Sequence, residues 1–286
     1  MKIVVNSGNI GTPVAINLAR AGAEVSLAVR APKPNSTFDG LGIRQVSFDI
    51  NRVDSMVAAL EGADAFFSLT PLVENFVEAG RLSITAAQQA GVKKIVRSSA
   101  QGAEPNAAIA LGRWHYAVEQ AIEESGIPFT VLRPGHFMQN YLTYGTPQTI
   151  QAQNAFYSPV AAAKMTPIDT GDISAAAAQI LMESGHDGKR YVLTGGESLN
   201  NDKIAELISE ALGRTITHVQ IPESAAVDAM QKAGTPPWLV KLLSELNELT
   251  RSGYFAEVQP DAEMILKRKP VLFNHFIREN LSVFSA

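Results

Sequence analysis

The 286-residue chain contains no cysteine. That excludes disulfides, thiolate nucleophiles and thiolate metal centres, and it suits a reducing compartment. The chain also has no excess of one charge: 24 Lys plus Arg against 28 Asp plus Glu leave a formal net charge of −4. Such a balance gives no electrostatic ground for a nucleic-acid partner or an anionic membrane surface. No apolar run is long enough to span a bilayer, and the apolar stretch before the first turn is too short for the core of a signal peptide. The expectation is a cytoplasmic protein without a membrane or nucleic-acid partner, in which the sequon Asn35-Ser36-Thr37 goes unused. Also missing are a G-x-S-x-G elbow, an H-E-x-x-H helix and a G-x-x-x-x-G-K-[ST] loop, and with them the chemistries those motifs serve. Otherwise the composition, 46% hydrophobic and 18% charged, is that of an ordinary globular chain.

What is present begins at the N-terminus. Lys2-Ile3-Val4-Val5 reads as a strand, Asn6-Ser7-Gly8-Asn9-Ile10-Gly11 as a tight turn, and the alanine-rich Val14–Ala19 as a helix. Strand, glycine turn and helix in that order make the start of a dinucleotide-binding βαβ unit. The backbone of the turn must approach a pyrophosphate, and the helix start must aim its N–H groups and positive dipole end at it. Asn6 stands where G-x-G-x-x-G has its first glycine, and asparagine is the residue that best replaces glycine at positive φ. A side chain at Gly8 would block the ligand, and one at Gly11 would push the helix off the strand.

The rhythm continues. Strands are expected at Glu24–Val29, Ile43–Phe48, Ala65–Leu69, Lys94–Arg97 and Phe129–Leu132, separated by helices, one of them capped by Asn51 with Asp54 three positions on. Longer helices are expected over about Val73–Ala90 and Gly112–Ser125. Alternation at this spacing indicates an α/β fold with a doubly wound parallel sheet, a Rossmann fold. Beyond Asn140 the pattern breaks into short strands near Phe156-Tyr157 and Tyr191–Leu193, helices from Asp172, Asn201 and Ser224, and a helical tail opened by Pro236-Pro237. The division expected is 1–140 as dinucleotide-binding core and 141–286 as a smaller α/β lobe on the substrate side, with its strands free to return to the core sheet. Such sheets bind ligands at their carboxyl edge.

Two positions speak to chemistry directly. Arg30 ends the second strand, where an acidic residue would bond a ribose 2′-OH and an arginine accommodates a 2′-phosphate. Leu27-Ala28-Val29 offers no carboxylate, and Lys33 adds charge, so NADP(H) is the expected cofactor. His115 and Glu119 lie four apart on one helix face, so the histidine could donate a proton or a hydrogen bond to an acceptor while the carboxylate orients it; a surface pair, or a histidine packed beside Trp114, is the plainer reading. As a metal pair they would need further ligands that nothing supplies.

Arg113-Trp114-His115-Tyr116-Ala117-Val118-Glu119, Ser125–Pro134 and Phe137-Met138-Gln139-Asn140 together resemble the NmrA-like atypical short-chain dehydrogenase/reductases, in the branch with type 2 NAD(P)H:quinone oxidoreductase and triphenylmethane reductase. Ile168-Asp169, Asp172-Ile173, Gly188–Gly195 and Arg268-Lys269-Pro270 extend the likeness over nearly the whole chain. The departure is a glycine loop two residues shorter than T-G-A-T-G-x-x-G. The resemblance places Asp49 near the adenine, Ser68-Leu69-Thr70 along the central ribose and phosphate, and Pro134-Gly135-His136-Phe137 as the wall beside the nicotinamide. It puts Ser99 at the usual serine position after the fifth strand.

The Tyr-x-x-x-Lys pair of ordinary short-chain reductases is missing: Tyr116 is followed by Gln120, and none of the other five tyrosines has a lysine there. Ketone reduction by that relay is not expected. The resemblance implies instead a reductase that passes hydride from NADPH to a small conjugated acceptor such as a quinone or dye, with position and an apolar pocket as the protein's main contribution. It leaves open an NADP-sensing regulator without turnover, a biosynthetic imine or enone reductase, and a homodimer.

Overall fold

The computed structural model describes residues 1–143 and 145–285. In chain order the first elements are β1 (Lys2–Asn6), α1 (Gly11–Arg20), β2 (Glu24–Val29), α2 (Ser36–Gly40), β3 (Arg44–Ser47), α3 (Val53–Leu60), β4 (Ala65–Ser68), α4 (Phe76–Gln89), β5 (Lys94–Ser98), α5 (Ala110–Glu124) and β6 (Phe129–Pro134). There follow α6 (Thr146–Gln153), β7 (Ala155–Ser158), α7 (Thr170–Met182), β8 (Lys189–Leu193), α8 (Asn201–Leu212), β9 (Thr217–Gln220), α9 (Glu223–Lys232), α10 (Pro237–Arg251), α11 (Asp261–Leu266), α12 (Phe273–Glu279) and α13 (Leu281–Phe284).

The chain forms two compact units, the first made of Met1–Ala107, Leu111–Pro134 and Gly171–Val192. A seven-stranded sheet in the order β3-β2-β1-β4-β5-β6-β8 carries it. β1 pairs in parallel with both β2 and β4, so the strand order reverses between β1 and β4. Reversal opens a crevice at the carboxyl ends of those strands, the place where doubly wound sheets bind ligands. The strands are near-continuous apolar runs because both faces are covered. Val4, Phe66 and Ile95 pack under Met56, Leu60, Phe76, Ile84, Val118 and Ile122 from α3, α4 and α5. On α1, Val14, Ala15 and Leu18 are buried, a three-and-four spacing that turns one apolar stripe to the sheet.

The second unit comprises Ala108–Ala110, Gly135–Thr170 and Leu193–Ala286. Here β7 pairs in parallel with β9, Phe156 opposite His218. Its core joins Phe156, Ile204, Ile208, Phe273, Phe276 and Ile277. Asn200 caps α8 by accepting from the Lys203 N–H at 2.9 Å, and Gly213 closes it at φ +65°. Almost all of α7 and of β8 belong to the first unit.

Asn51 does not cap α3. Arg52 occupies the cap position without a capping bond, its guanidinium pairing with Asp54, while the Asn51 carboxamide oxygen accepts from Asn75 Nδ2 at 3.1 Å. The short β9, α2, α6 and α11 were absent from the sequence expectation; α6 buries only Pro147 and Ile150, too little to write a periodicity.

Candidate functional site

The turn after β1 lies at the strand-order reversal. Gly8 is exposed at φ +139°, a conformation that disfavours a side chain, and beyond it only Leu69 Cδ2 comes near, 3.8 Å from where a Cβ would sit. Open space over an exposed backbone is what a ligand's phosphate needs. Gly11 is the opposite case: a Cβ there would lie 1.7 Å from the Asn6 carbonyl oxygen, so α1 can start against β1 only at glycine. α1 has no side-chain cap and no acidic residue in its first turn, leaving its positive end to an anion.

Asn6 is not at positive φ. It ends β1 in extended form, buried, and its Oδ1 accepts the Leu69 N–H at 3.1 Å. Asparagine is used here for its carbonyl, which ties the end of β1 to the end of β4. The turn is also pinned from α7, where Ser174 Oγ donates to the Ile10 carbonyl at 3.0 Å. Ser7 N–H donates to Ala28 O at 2.9 Å and holds the turn to β2. Asn9 is exposed at its tip.

Arg30 is exposed just past β2, and its side chain makes no hydrogen bond or ion pair among the described residues. A free guanidinium at that edge fits a 2′-phosphate. Asp49 is engaged locally, since its Oδ1 accepts the Asn51 N–H at 3.0 Å in the approach to α3. Ser68 is buried and Leu69 and Thr70 half-buried at the end of β4. The turn, Arg30, Asp49, Ser68-Leu69-Thr70, Pro134 and His115 thus all belong to the first unit, and the residues present there fit a dinucleotide.

Gly135, His136 and Phe137 belong to the second unit. Phe137 bridges Ile168, and the His136 carbonyl accepts the Ile168 N–H at 2.8 Å. The His136 ring meets Phe255 edge-on at 4.8 Å, with Nε2 3.0 Å from Thr250 Oγ1. That hydroxyl already donates to the Leu246 carbonyl, so it accepts from an Nε2–H. Burial pushes the His136 imidazole down to about 4, so it is neutral.

Glu119 does not orient His115. Its carboxylate, wholly buried, accepts from Ser99 Oγ at 2.5 Å, from Arg133 Nε at 3.1 Å and Nη2 at 2.6 Å, and from Arg190 Nε at 3.3 Å. Arg190 also pairs with Glu123. Three donors saturate the anion, and the same bond commits the Ser99 proton to Glu119. His115 instead packs against Phe76 at 4.7 Å, and its shielded Nδ1 has no hydrogen-bond partner. Burial, with the positive charge of Arg97 adding to it, holds the ring well below the ordinary histidine value, so it is neutral at physiological pH. The sequence reading missed Ser174, Arg97 and the Arg133–Glu119–Arg190 cluster; an arginine inside the apolar strand Ile95-Val96-Arg97 was the available signal for Arg97.

The sequence matches the NmrA-like family over residues 2–262. The chain belongs to that family. It is 34% identical over 284 residues to an NAD(P)H azoreductase of Xenophilus azovorans, covering 99% of each. Its fold is shared with an NADPH-dependent quinone oxidoreductase of Escherichia coli solved with NADPH, at TM-score 0.87 and 22% identity over 98% of this chain and 100% of that one. A triphenylmethane reductase of Citrobacter sp. solved with NADP(H) superposes at TM-score 0.87 and 21% identity, over 98% and 99%. Among the described residues no group of three or more acidic or histidine side chains could hold a metal ion, and no helix is long and apolar enough to cross a membrane.

Proposed function

We propose that this NmrA-like protein is an NADPH-dependent reductase that passes hydride to a small, flat, conjugated acceptor such as a quinone or azo dye. The observation that carries the reading is the bare turn at the strand-order reversal, open above Gly8 and uncapped at α1, with unpartnered Arg30 at the neighbouring edge. Full-length likeness to a named azoreductase supports the acceptor class.

When bound, NADPH supplies a hydride from its nicotinamide ring. The chain's own residues bind and orient. The tip of the turn after Gly8 and the start of α1 would take the pyrophosphate through backbone N–H groups, since the Ser7 and Gly8 N–H groups already bond Ala28 O and Thr12 Oγ1. Arg30 takes the 2′-phosphate. Asp49 lies toward the adenine, and Ser68-Leu69-Thr70 run along the central ribose and phosphate. Neutral His115 offers a ring nitrogen but no ionisable proton near pH 7. This suits an acceptor whose extended π system takes the hydride without a protonated group beside it. The cysteine-free composition suits a cytoplasmic setting.

Steady-state NADPH oxidation with a panel of quinones, azo dyes and triphenylmethane dyes tests the reading. Turnover with at least one class is the expected outcome. Tight NADPH binding with no oxidation by any acceptor would replace the reductase with a cofactor-sensing regulator.

A further inference from the structure

Beside the turn lies a buried cation that the proposed chemistry does not use. Arg97, on β5, is 0% exposed, with the Phe76 ring beside it. Its Nη1 donates to Ser68 Oγ at 3.1 Å and Thr70 Oγ1 at 2.8 Å, while Nε and Nη2, equally buried, have no hydrogen-bond partner among the described residues. The guanidinium carbon stands 5.8 Å from the centroid of the Phe76 ring, a weak cation–π contact. The nearest counter-charge, Glu119, is taken by Ser99, Arg133 and Arg190.

For stability alone this is a poor choice of residue. Buried charges with incomplete hydrogen bonding are commonly matched or bettered by apolar side chains of the same volume. An unsatisfied buried donor also loses its hydration without compensation. What arginine does here is carry one nitrogen, Nη1, on a rigid planar group to where it donates to two hydroxyls at once. Those hydroxyls are on Ser68 and Thr70. Between them, the Leu69 N–H is held from the opposite strand by Asn6 Oδ1. The end of β4 is therefore gripped from both flanks, by β1 through Asn6 and by β5 through Arg97.

We infer that Arg97 is a positioning residue of the cofactor site: it holds Ser68 and Thr70 so that the end of β4 presents a fixed backbone to the dinucleotide. The inference rests on the NADPH reading above and adds a residue with no expected contact to cofactor or acceptor. Burial, offset in part by the negative charge of Glu119, brings Arg97 down to about 10, still a cation at neutral pH, so the grip is charge-assisted on both hydroxyls.

Arg97→Met keeps the length and volume of the stem and removes the fork. The expected result is a protein that melts at or above the wild-type temperature yet binds NADPH at least tenfold more weakly, by fluorescence titration. KM for NADPH should rise with it, while kcat at saturating cofactor changes less than threefold. Arg97→Lys, which can reach only one hydroxyl well, should fall between the two in affinity. The double variant Ser68→Ala/Thr70→Val should lose a similar factor, and adding Arg97→Met to it should cost almost nothing more. A lowered melting temperature with unchanged NADPH affinity would make Arg97 a structural residue and overturn the inference. Additive losses would overturn it too, since Arg97 would then act by a route other than the two hydroxyls. Should Arg97→Met fail to fold, Arg97→Lys and the double variant decide the matter by the same criteria. Wild-type protein that binds no NADPH would instead sink the underlying reading and the inference together, and this is seen before any variant is made.

Discussion

The turn after β1 and the cluster around Glu119 belong to the same unit, yet they treat polar groups in opposite ways. At the turn, the backbone of Gly8 is exposed, the start of α1 has no side-chain cap, and Arg30 nearby carries an unpaired guanidinium. Around Glu119, every acceptor direction is met, by a hydroxyl and two guanidinium groups, and the carboxylate is 0% exposed. A saturated buried charge leaves nothing for a ligand to bond and much for the fold to lose. An unsaturated, open one is cheap to leave in water and free to bind. The contrast separates residues that hold the protein together from those that act on a partner, although both kinds are polar and belong to one unit.

The sharpest way to break this contrast is Glu119→Ala. It strands Arg133 beside a cavity and leaves Arg190 with Glu123, and loss of one partner from a buried ionic cluster costs about 3–5 kcal/mol. Urea unfolding should show that loss, with NADPH affinity of the folded fraction nearly unchanged. A loss below about 1 kcal/mol would mean that the cluster does not hold the fold.

His136 extends the contrast to a buried group kept without charge. In the unfolded chain it titrates near 6.5, and in the fold only at about 4. Between those values the unfolded state binds a proton that the folded state does not, so stability is full above about pH 6.5 and declines as pH falls toward 4. The total is about 3 kcal/mol for this one group. His136→Phe should flatten the slope of unfolding free energy over that window; an unchanged slope would assign it to other groups.

Arg30→Ala tests the bare side. Removal of a charge-assisted phosphate contact is worth about 1.5–3 kcal/mol, which is more than tenfold in NADPH dissociation constant. NADH affinity and melting temperature should hardly move. Equal affinity of the wild type for both nucleotides would remove the 2′-phosphate assignment.

The smallest effect is expected at His115. A neutral ring in contact with Phe76 has no proton to ionise near pH 7, so His115→Ala should lower turnover by less than about tenfold. The pH profile of kcat between pH 6 and 8 should keep its shape. A lost ionisation in that range would show that the histidine carries charge during turnover.

Some features could be read from the chain because they are local. Lys2–Gly11 writes strand, turn and helix start in ten consecutive residues, and the apolar runs at 24–29, 65–69, 94–97 and 129–132 mark strands covered on both faces. Gly11 follows from the same logic, since a helix that starts against its own strand has no room for a Cβ. Arg30 was legible as the residue ending a strand that offers no carboxylate. Partner choice was not legible. His115 and Glu119 share a helix face, but which of them meets an arginine depends on strands and on residues from 97 to 190. Asn6 resembled a glycine substitute until the Leu69 N–H, 63 positions away, proved to be what its carbonyl binds. Short elements such as β9 and α6 bury too few residues to leave a period. Sequence pattern reports the covering of a face, because every residue of an element contributes to it. A single hydrogen bond between distant positions leaves no such pattern, and only the packed sheet decides it.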